Sequence, residues 1–366
     1  MTAWRVGFGS PAPREDRAAV ADAIARVVAS GWFILGPEGE AFESEFAAAS
    51  GCECAVGVGN GTDALALILR ALGIGAGDEV ITTPFSAAFT ALSILMAGAR
   101  PVFADIDAER LTIDPDAVAA AVTSRTRAIM PVHLYGQAAD MAGLERVAAR
   151  HNLAVVEDCC QAHLATAADR PVGSIGIAGA FSFYPTKNLG ALGDAGMAVT
   201  RDRQLADRIR RLRNGGQRGR HEHEEPGVNS RLDEMQAAIL RARLPFLAGW
   251  TARRRELARS YRARLSHPSV LVPPERDAGH VYHLFVVRSG RRSALRDHLR
   301  EHGVETLVHY PTAIPCMPAF APASPAACPM AVRAASEVLT LPLHPALADE
   351  ALAEVVAAIT DFDRKD

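Results

Sequence analysis

The sequence predicts an α/β protein: a large domain on a mostly parallel sheet over residues 1–248, then a smaller α+β domain over 249–366. Three observations carry this. Short β-branched runs alternate with helical patterns through the first 200 residues, as in parallel strands covered on both faces. Beyond a long helical stretch ending near residue 247 the alternation gives way to a basic helix, one strand and two more helices. At 366 residues, 49% hydrophobic and 22% charged, the chain is long enough for two such cores.

Taken in order, residues 14–30 place Val20, Ile24, Val27 and Val28 at helical spacing and stop at Gly31, a natural C-cap. A second helix is predicted over 38–50. Strands follow at 55–58, 79–82, 101–106, 127–132, 153–157 and 196–200, with helices between them at 63–72, 87–97, 116–122 and 141–151. The run before Lys187, which includes Ser182, also reads as strand, and a long helix over 232–247 closes the large domain. The small domain is read as a helix at 251–265, a strand at 282–287, and helices at 292–302 and 349–359. The Pro-rich stretch 311–329 is a loop, either ordered near the site or a surface linker.

Composition narrows the function classes. A net charge of −3 with both signs interspersed argues against a nucleic-acid footprint or a polybasic membrane surface. Residues 1–16 lack a signal-peptide apolar core and no apolar stretch approaches bilayer thickness, so a cytoplasmic protein is expected. The six cysteines, at 52, 54, 159, 160, 316 and 328, form no Cys-x-x-Cys pair and read as reduced thiols, with no metal site expected. The run His221-Glu222-His223-Glu224-Glu225 has ligand-type side chains but no zinc spacing, and Pro226-Gly227 closes it as a solvated loop.

Of 39 basic side chains only Lys187 and Lys365 are lysine. A guanidinium stays protonated and cannot attack a carbonyl, whereas a partly desolvated amine can lose its proton and form a Schiff base. Lys365 sits in the terminal Asp-Arg-Lys-Asp, but Lys187 follows an aromatic run and precedes a Gly-rich turn, where an idle buried charge would be costly. Three other segments complement it. Asn60-Gly61-Thr62-Asp63 opens a helix directly after a strand and would turn N–H groups and the Thr62 hydroxyl toward a phosphate; Thr62 stands where a dinucleotide fingerprint needs its third glycine. Asp158, at the end of a buried strand, is placed to pair with a protonated ring nitrogen, and Gln161 to hydrogen-bond a ring hydroxyl. Ser182 is a second phosphate donor, and Asn229 belongs to a polar helix start at 227–233. Phosphate, pyridinium and Schiff base together describe pyridoxal 5'-phosphate.

These residues resemble the DegT/DnrJ/EryC1/StrS family of sugar aminotransferases. The likeness is carried by Ser30 to Glu38, Val58-Gly59-Asn60-Gly61-Thr62-Asp63, Pro131 to Gly136, Glu157-Asp158, Phe181 to Gly193, Asn229-Ser230-Arg231-Leu232-Asp233 and, near the C-terminus, His309-Tyr310-Pro311. The resemblance implies the aspartate-aminotransferase fold (fold type I of the pyridoxal-phosphate transferases) and a homodimer with active sites at the subunit interface. It implies that Lys187 binds the cofactor covalently and is the catalytic base, that Asp158 meets the pyridine nitrogen and Gln161 the ring hydroxyl, and that Gly61, Thr62 and Ser182 hold the phosphate with Asn229 from the other subunit.

The implied reaction moves an amino group from L-glutamate, by way of pyridoxamine 5'-phosphate, to a nucleotide-linked ketosugar. The resemblance is to members that aminate C3 of a dTDP-3-keto-6-deoxyhexose; a 4-ketosugar nucleotide, a keto-cyclitol, or a non-catalytic regulator that binds the cofactor are the alternatives. Two positions depart from the family pattern. Ala87 stands where an aromatic commonly stacks on the cofactor ring, so that either His163 or Phe89 covers the ring or the face is open, and Thr312 to Cys316 lack a histidine often found near the substrate.

Overall fold

The computed structural model describes residues 4–219, 221–320 and 327–363. Its main sheet has seven strands in the spatial order Cys54–Val58, Gly196–Thr200, Ala178–Ser182, Ala154–Asp158, Thr126–Met130, Glu79–Thr82, Arg100–Phe103. Only Gly196–Thr200 runs against its neighbours. Adjacent residues of one strand point to opposite faces, and here both faces are core. Ala55, Ile81, Ile129, Val155 and Phe181 join a cluster with Phe42, Phe46 and Leu240, while Val56, Val80, Ala128, Val156 and Ala180 join another with Leu65, Leu69 and Ile209. Burial on both faces is why these strands read as β-branched runs instead of alternating apolar and polar residues.

The parallel strands bring their carboxyl ends to one edge. Val58 and Ser182 both lie opposite Gly196, and Asp158 lies opposite Ala180. A side chain at Gly196 would put its Cβ 2.2 Å from the Asn60 carbonyl carbon, so glycine there lets the turn into the next helix cross the sheet edge.

Helix boundaries follow their caps. The first helix is Arg17–Ser30, ended by Gly31 at φ 66°. Helix Pro37–Ser50 has its start held by the buried Glu234 carboxylate, which accepts from the N–H groups of Gly36, Glu38 and Gly39 at 2.8–2.9 Å. A Cβ on Gly39 would lie 2.7 Å from Glu234 Oε1, which is why the turn after Pro37 carries a glycine. The helix predicted over 232–247 is shorter, Glu234–Arg243. Pro245 lacks an N–H, so Leu244–Phe246 tightens to a 3-10 turn before helix Leu247–Arg264 begins four residues earlier than expected.

A separate cluster holds Leu257 and Tyr261 of that helix with Phe285, Val287, Leu295, Leu339, Val355 and Ile359, and Val6 packs into it. Its sheet is the antiparallel pair Phe285–Arg288 and Val338–Leu341. The second of these strands and the preceding helix, Pro329–Glu337, were not expected, because the Pro-rich stretch before them masks their pattern. Part of that stretch, 321–326, lies outside the described residues, as does Lys365. Among the described residues no helix is long and apolar enough to cross a membrane.

Candidate active site

Helix Gly61–Ala71 starts immediately after strand Cys54–Val58. Asn60 caps it, accepting from the Asp63 N–H at 2.9 Å, and Ser230 Oγ donates to the Asp63 carboxylate at 2.6 Å while accepting from the Gly59 N–H at 3.0 Å. With Asp63 so engaged, the Gly61 and Thr62 N–H groups stand at the positive helix end with no acceptor inside the helix. A Cβ at Gly61 would lie 2.6 Å from Cys160 Sγ and 2.9 Å from Ser182 Cβ. Glycine therefore lets the helix start close on Ser182 and forms a cradle of donors suited to a phosphate.

Asp158 ends strand Ala154–Asp158 and is 5% exposed. One carboxylate oxygen accepts from Thr90 Oγ1 at 2.7 Å, the other from the Cys160 N–H at 3.1 Å. Both donors are neutral, so this buried carboxylate keeps the capacity to take a cationic N–H, as a pyridinium offers. Thr90 was missed in the sequence because its helix, Phe89–Met96, comes 68 residues before Asp158 and carries no motif.

Glu157, beside it, does something else. Fully buried, it accepts from His133 Nε2 at 3.0 Å and from the N–H groups of Gly173, Ile175 and Gly176 at 2.7–2.9 Å. With Cys159 these residues have metal-type donors within 4.8 Å of one another, but the carboxylate is filled by four hydrogen-bond donors. Its role is to fix the loop packed behind Asp158.

Gln161 is oriented at both ends. Its Oε1 accepts from the Tyr135 N–H at 2.8 Å, and its Nε2 donates to Tyr310 Oη at 3.0 Å, leaving one amide proton available. Tyr135 Oη in turn donates to the His309 carbonyl. These bonds bring the His309-Tyr310 segment to the sheet edge, and burial pushes the Tyr310 phenol up to about 12, so it remains an O–H donor.

Lys187 follows strand Ala178–Ser182 in a turn where its N–H donates to the Tyr184 carbonyl at 2.8 Å. Burial lowers its ammonium pKa from the ordinary 10.5, opposed by Cys160 and Asp158. The Cys160 thiol is itself driven well above its usual range by burial, so it stays neutral and the opposing charge is that of Asp158. The outcome is an amine more readily freed of its proton than an exposed lysine, which is what a nucleophile or general base needs.

The structure thus gathers Gly61, Thr62, Ser182, Asp158 and Gln161 at the edge where Lys187 emerges. Asn229 is different: it is exposed, its backbone bridges Asn214, and its side chain makes no hydrogen bond among the described residues. His163 is fully buried against Phe46, Phe181 and Phe183, at ring distances of 5.5–6.5 Å, and burial holds it neutral with a pKa of about 3. Phe89 is 62% exposed. The 221–225 run, expected as a solvated loop, carries a short strand at Glu222–His223 paired with Gln217–Gly219, and Glu224 and Glu225 pair with Arg218, Arg211 and Arg208.

The residues present fit pyridoxal 5'-phosphate: a donor cradle closed by Gly61, a buried carboxylate with only neutral partners, and an amine of lowered pKa. Comparison with known proteins gives the same result. A sequence profile of the DegT/DnrJ/EryC1/StrS aminotransferase family matches residues 14–360. The dTDP-3-amino-3,4,6-trideoxy-alpha-D-glucose transaminase of Streptomyces venezuelae is 47% identical over 354 residues, 95% of this chain and 93% of that protein. The erythromycin biosynthesis sensory transduction protein EryC1 of Saccharopolyspora erythraea is 48% identical over 351 residues, 94% and 95% of the two chains. The crystal structure of S. venezuelae DesV in complex with a ketimine intermediate superimposes with a TM-score of 0.93 at 47% identity, covering 96% of each chain.

Proposed function

Because the chain belongs to the DegT/DnrJ/EryC1/StrS family and is a pyridoxal-phosphate-dependent sugar aminotransferase, we propose that it transfers an amino group from L-glutamate to C3 of a dTDP-3-keto-6-deoxyhexose. The observation that carries this reading is the convergence of Lys187, Asp158 and the Gly61 cradle on one sheet edge, and the transferase of S. venezuelae at 47% identity supports the choice of acceptor. In this reading residues 1–248 bind the cofactor, 249–366 form the second domain, and the enzyme works in the cytoplasm, where Cys52, Cys54, Cys159, Cys160 and Cys316 stay free thiols.

When bound, the cofactor supplies an aldehyde that takes up the amino group and a ring that delocalises the electrons left by proton removal. The protein does the rest. The Gly61 and Thr62 N–H groups and the Thr62 and Ser182 hydroxyls hold the phosphate. Asp158, oriented by Thr90 and the Cys160 N–H, keeps the ring nitrogen charged. Gln161 offers its remaining amide proton to the ring hydroxyl. Lys187 would bind the aldehyde and, as a buried amine of lowered pKa, would move a proton at the reacting carbon.

A mass-spectrometric screen of the pyridoxamine-loaded enzyme tests the acceptor. The 3-ketosugar nucleotide is aminated, and a 4-ketosugar nucleotide or keto-cyclitol is not. Preference for either of the latter two would replace the proposed acceptor.

The partner in this reading is a second copy of the chain, whose Asn229 completes the phosphate site. Exposure of Trp32, Phe33 and Ile34 at 57%, 50% and 40%, together with Phe89 and the exposed Asn229, supports an apolar surface covered by that copy. Mixing Lys187→Ala with Asn229→Ala subunits restores activity, because some heterodimers then hold one intact site. No recovery under conditions of proven subunit exchange would count against a shared site.

A further inference from the structure

Asn188, next in the chain to the reacting lysine, is 4% exposed and bridges to the segment 281–283. Its Nδ2 donates to the Val281 carbonyl at 3.2 Å, and its Oδ1 lies 3.2 Å from His283 Nδ1. A carbonyl only accepts, so the Val281 oxygen fixes which end of the amide carries the hydrogens and leaves Oδ1 as an acceptor. His283 Nδ1 must then hold the ring proton, and Nε2 is left with a lone pair.

The imidazole is held in place on both sides. Arg254 Nη1 donates to the Tyr282 and His283 carbonyls at 3.1 and 3.3 Å, and the Val281 N–H donates to the Gly136 carbonyl at 2.9 Å. A Cβ at Gly136 would lie 2.9 Å from the His283 backbone nitrogen, so glycine there lets the two segments close on each other.

His283 and Lys187 line one cavity of about 230 Å³, which has room for water. Among the described residues His283 Nε2 makes no hydrogen bond yet is not sealed from solvent, and Lys187 Nζ makes no hydrogen bond either. The other titratable groups facing His283 are Arg254, His163 and His309, and those facing Lys187 are Asp158 and Cys160. Asp158 already accepts from Thr90 and Cys160, the Cys160 thiol stays neutral, and Arg254 has only donors. His163 is enclosed by phenylalanine rings. His309 Nδ1 lies 2.9 Å from the Thr340 hydroxyl, which can donate or accept, so its tautomer is not fixed. Burial and the neighbouring Lys187 hold His283 well below the ordinary 6.5, so near neutrality it stays an uncharged acceptor.

We propose that His283 is a positioning residue for Lys187: its Nε2 accepts a hydrogen bond from the ε-nitrogen, directly or through one water, and so aims the lysine's lone pair at the reacting carbon. The proton then passes from that carbon to the ε-nitrogen, its bonding electrons stay with the carbon, and His283 neither gains nor loses a proton. This rests on the aminotransferase reading, in which Lys187 is the base.

The first test needs neither cofactor nor turnover. Two-bond ¹⁵N–¹H spectra of the ¹⁵N-histidine-labelled, cofactor-free protein, assigned by the signal lost in His283→Gln, show His283 as the neutral Nδ1–H tautomer near neutrality. An Nε2–H tautomer or an imidazolium there would overturn the assignment, because neither has an acceptor to offer. The second test uses the pyridoxal-loaded enzyme with L-glutamate and follows deuterium exchange at the donor α-carbon. His283→Phe slows exchange about tenfold or more, while the KM for L-glutamate and cofactor affinity by equilibrium dialysis stay within about threefold. His283→Gln, whose amide oxygen reaches the place of Nε2, recovers most of the rate. Full exchange in His283→Phe, or His283→Gln as slow as His283→Phe, would also overturn it. If His283→Phe fails to fold, the wild-type tautomer and His283→Gln decide the matter. Failure of the pyridoxamine-loaded wild type to aminate any ketosugar would sink the functional reading while leaving the tautomer and exchange results standing, so the two failures are separable.

Discussion

Lys187→Ala abolishes turnover while the protein still takes up pyridoxal 5'-phosphate. Loss of a positioned proton-transfer group alone removes about 10²–10⁴-fold, and in the proposed function Lys187 also supplies the amine that holds the aldehyde, so the fall lies at or beyond the upper end. Cofactor uptake persists because the Gly61 cradle, Ser182 and Asp158 do not depend on the lysine for their hydrogen bonds. A steady-state assay beside equilibrium dialysis of the cofactor reads both halves. Lys187→Arg is equally inactive, since a guanidinium keeps its proton. The wild type adds a pH signature. Burial lowers the Lys187 pKa below 10.5, so more free base is present near neutrality than for an exposed lysine; where this group limits the rate, activity falls as pH drops through that lowered pKa.

Asp158→Asn is the second large effect. It leaves the shape of the site and replaces the buried anion that is proposed to face the ring nitrogen with a neutral amide. Breaking a buried ion pair costs roughly 3–5 kcal/mol, which at about 1.4 kcal/mol per tenfold corresponds to a rate loss of roughly a hundredfold to several thousandfold. The loss falls on kcat for the proton-removal step, read by deuterium exchange at the donor α-carbon, and the absorption band of the bound cofactor shifts because its ring nitrogen is no longer held protonated. Thr90→Val is a graded version of the same change. It removes the 2.7 Å donor to Asp158 and costs about 1 kcal/mol, or roughly fivefold. A Thr90→Val enzyme as damaged as Asp158→Asn would mean that Thr90 does more than orient the carboxylate.

The parts of this site that could be read from sequence are those in which one short segment carries the whole signal. Asn60-Gly61-Thr62 announces a helix start, and the structure adds that Gly61 is required by Cys160 and Ser182 pressing on it. A lone interior lysine among arginines announces Lys187. The parallel sheet was legible for the same reason, since strands buried on both faces are written as unbroken apolar runs. What stayed hidden depends on distant pairings. Thr90 meets Asp158 across 68 residues and Tyr310 meets Gln161 across 149, with nothing local to mark either. Glu157 and Asp158 are neighbours of like chemistry, yet one is consumed by backbone N–H groups and the other by two neutral donors that leave room for a cation.

The most direct measurement is reductive labelling. Borohydride treatment of the protein saturated with pyridoxal 5'-phosphate, followed by peptide mass spectrometry, places one pyridoxyl-phosphate group on the ε-nitrogen of Lys187 and none in Lys187→Ala. An unlabelled Lys187, or a label of equal yield on the variant, would contradict the account at its root.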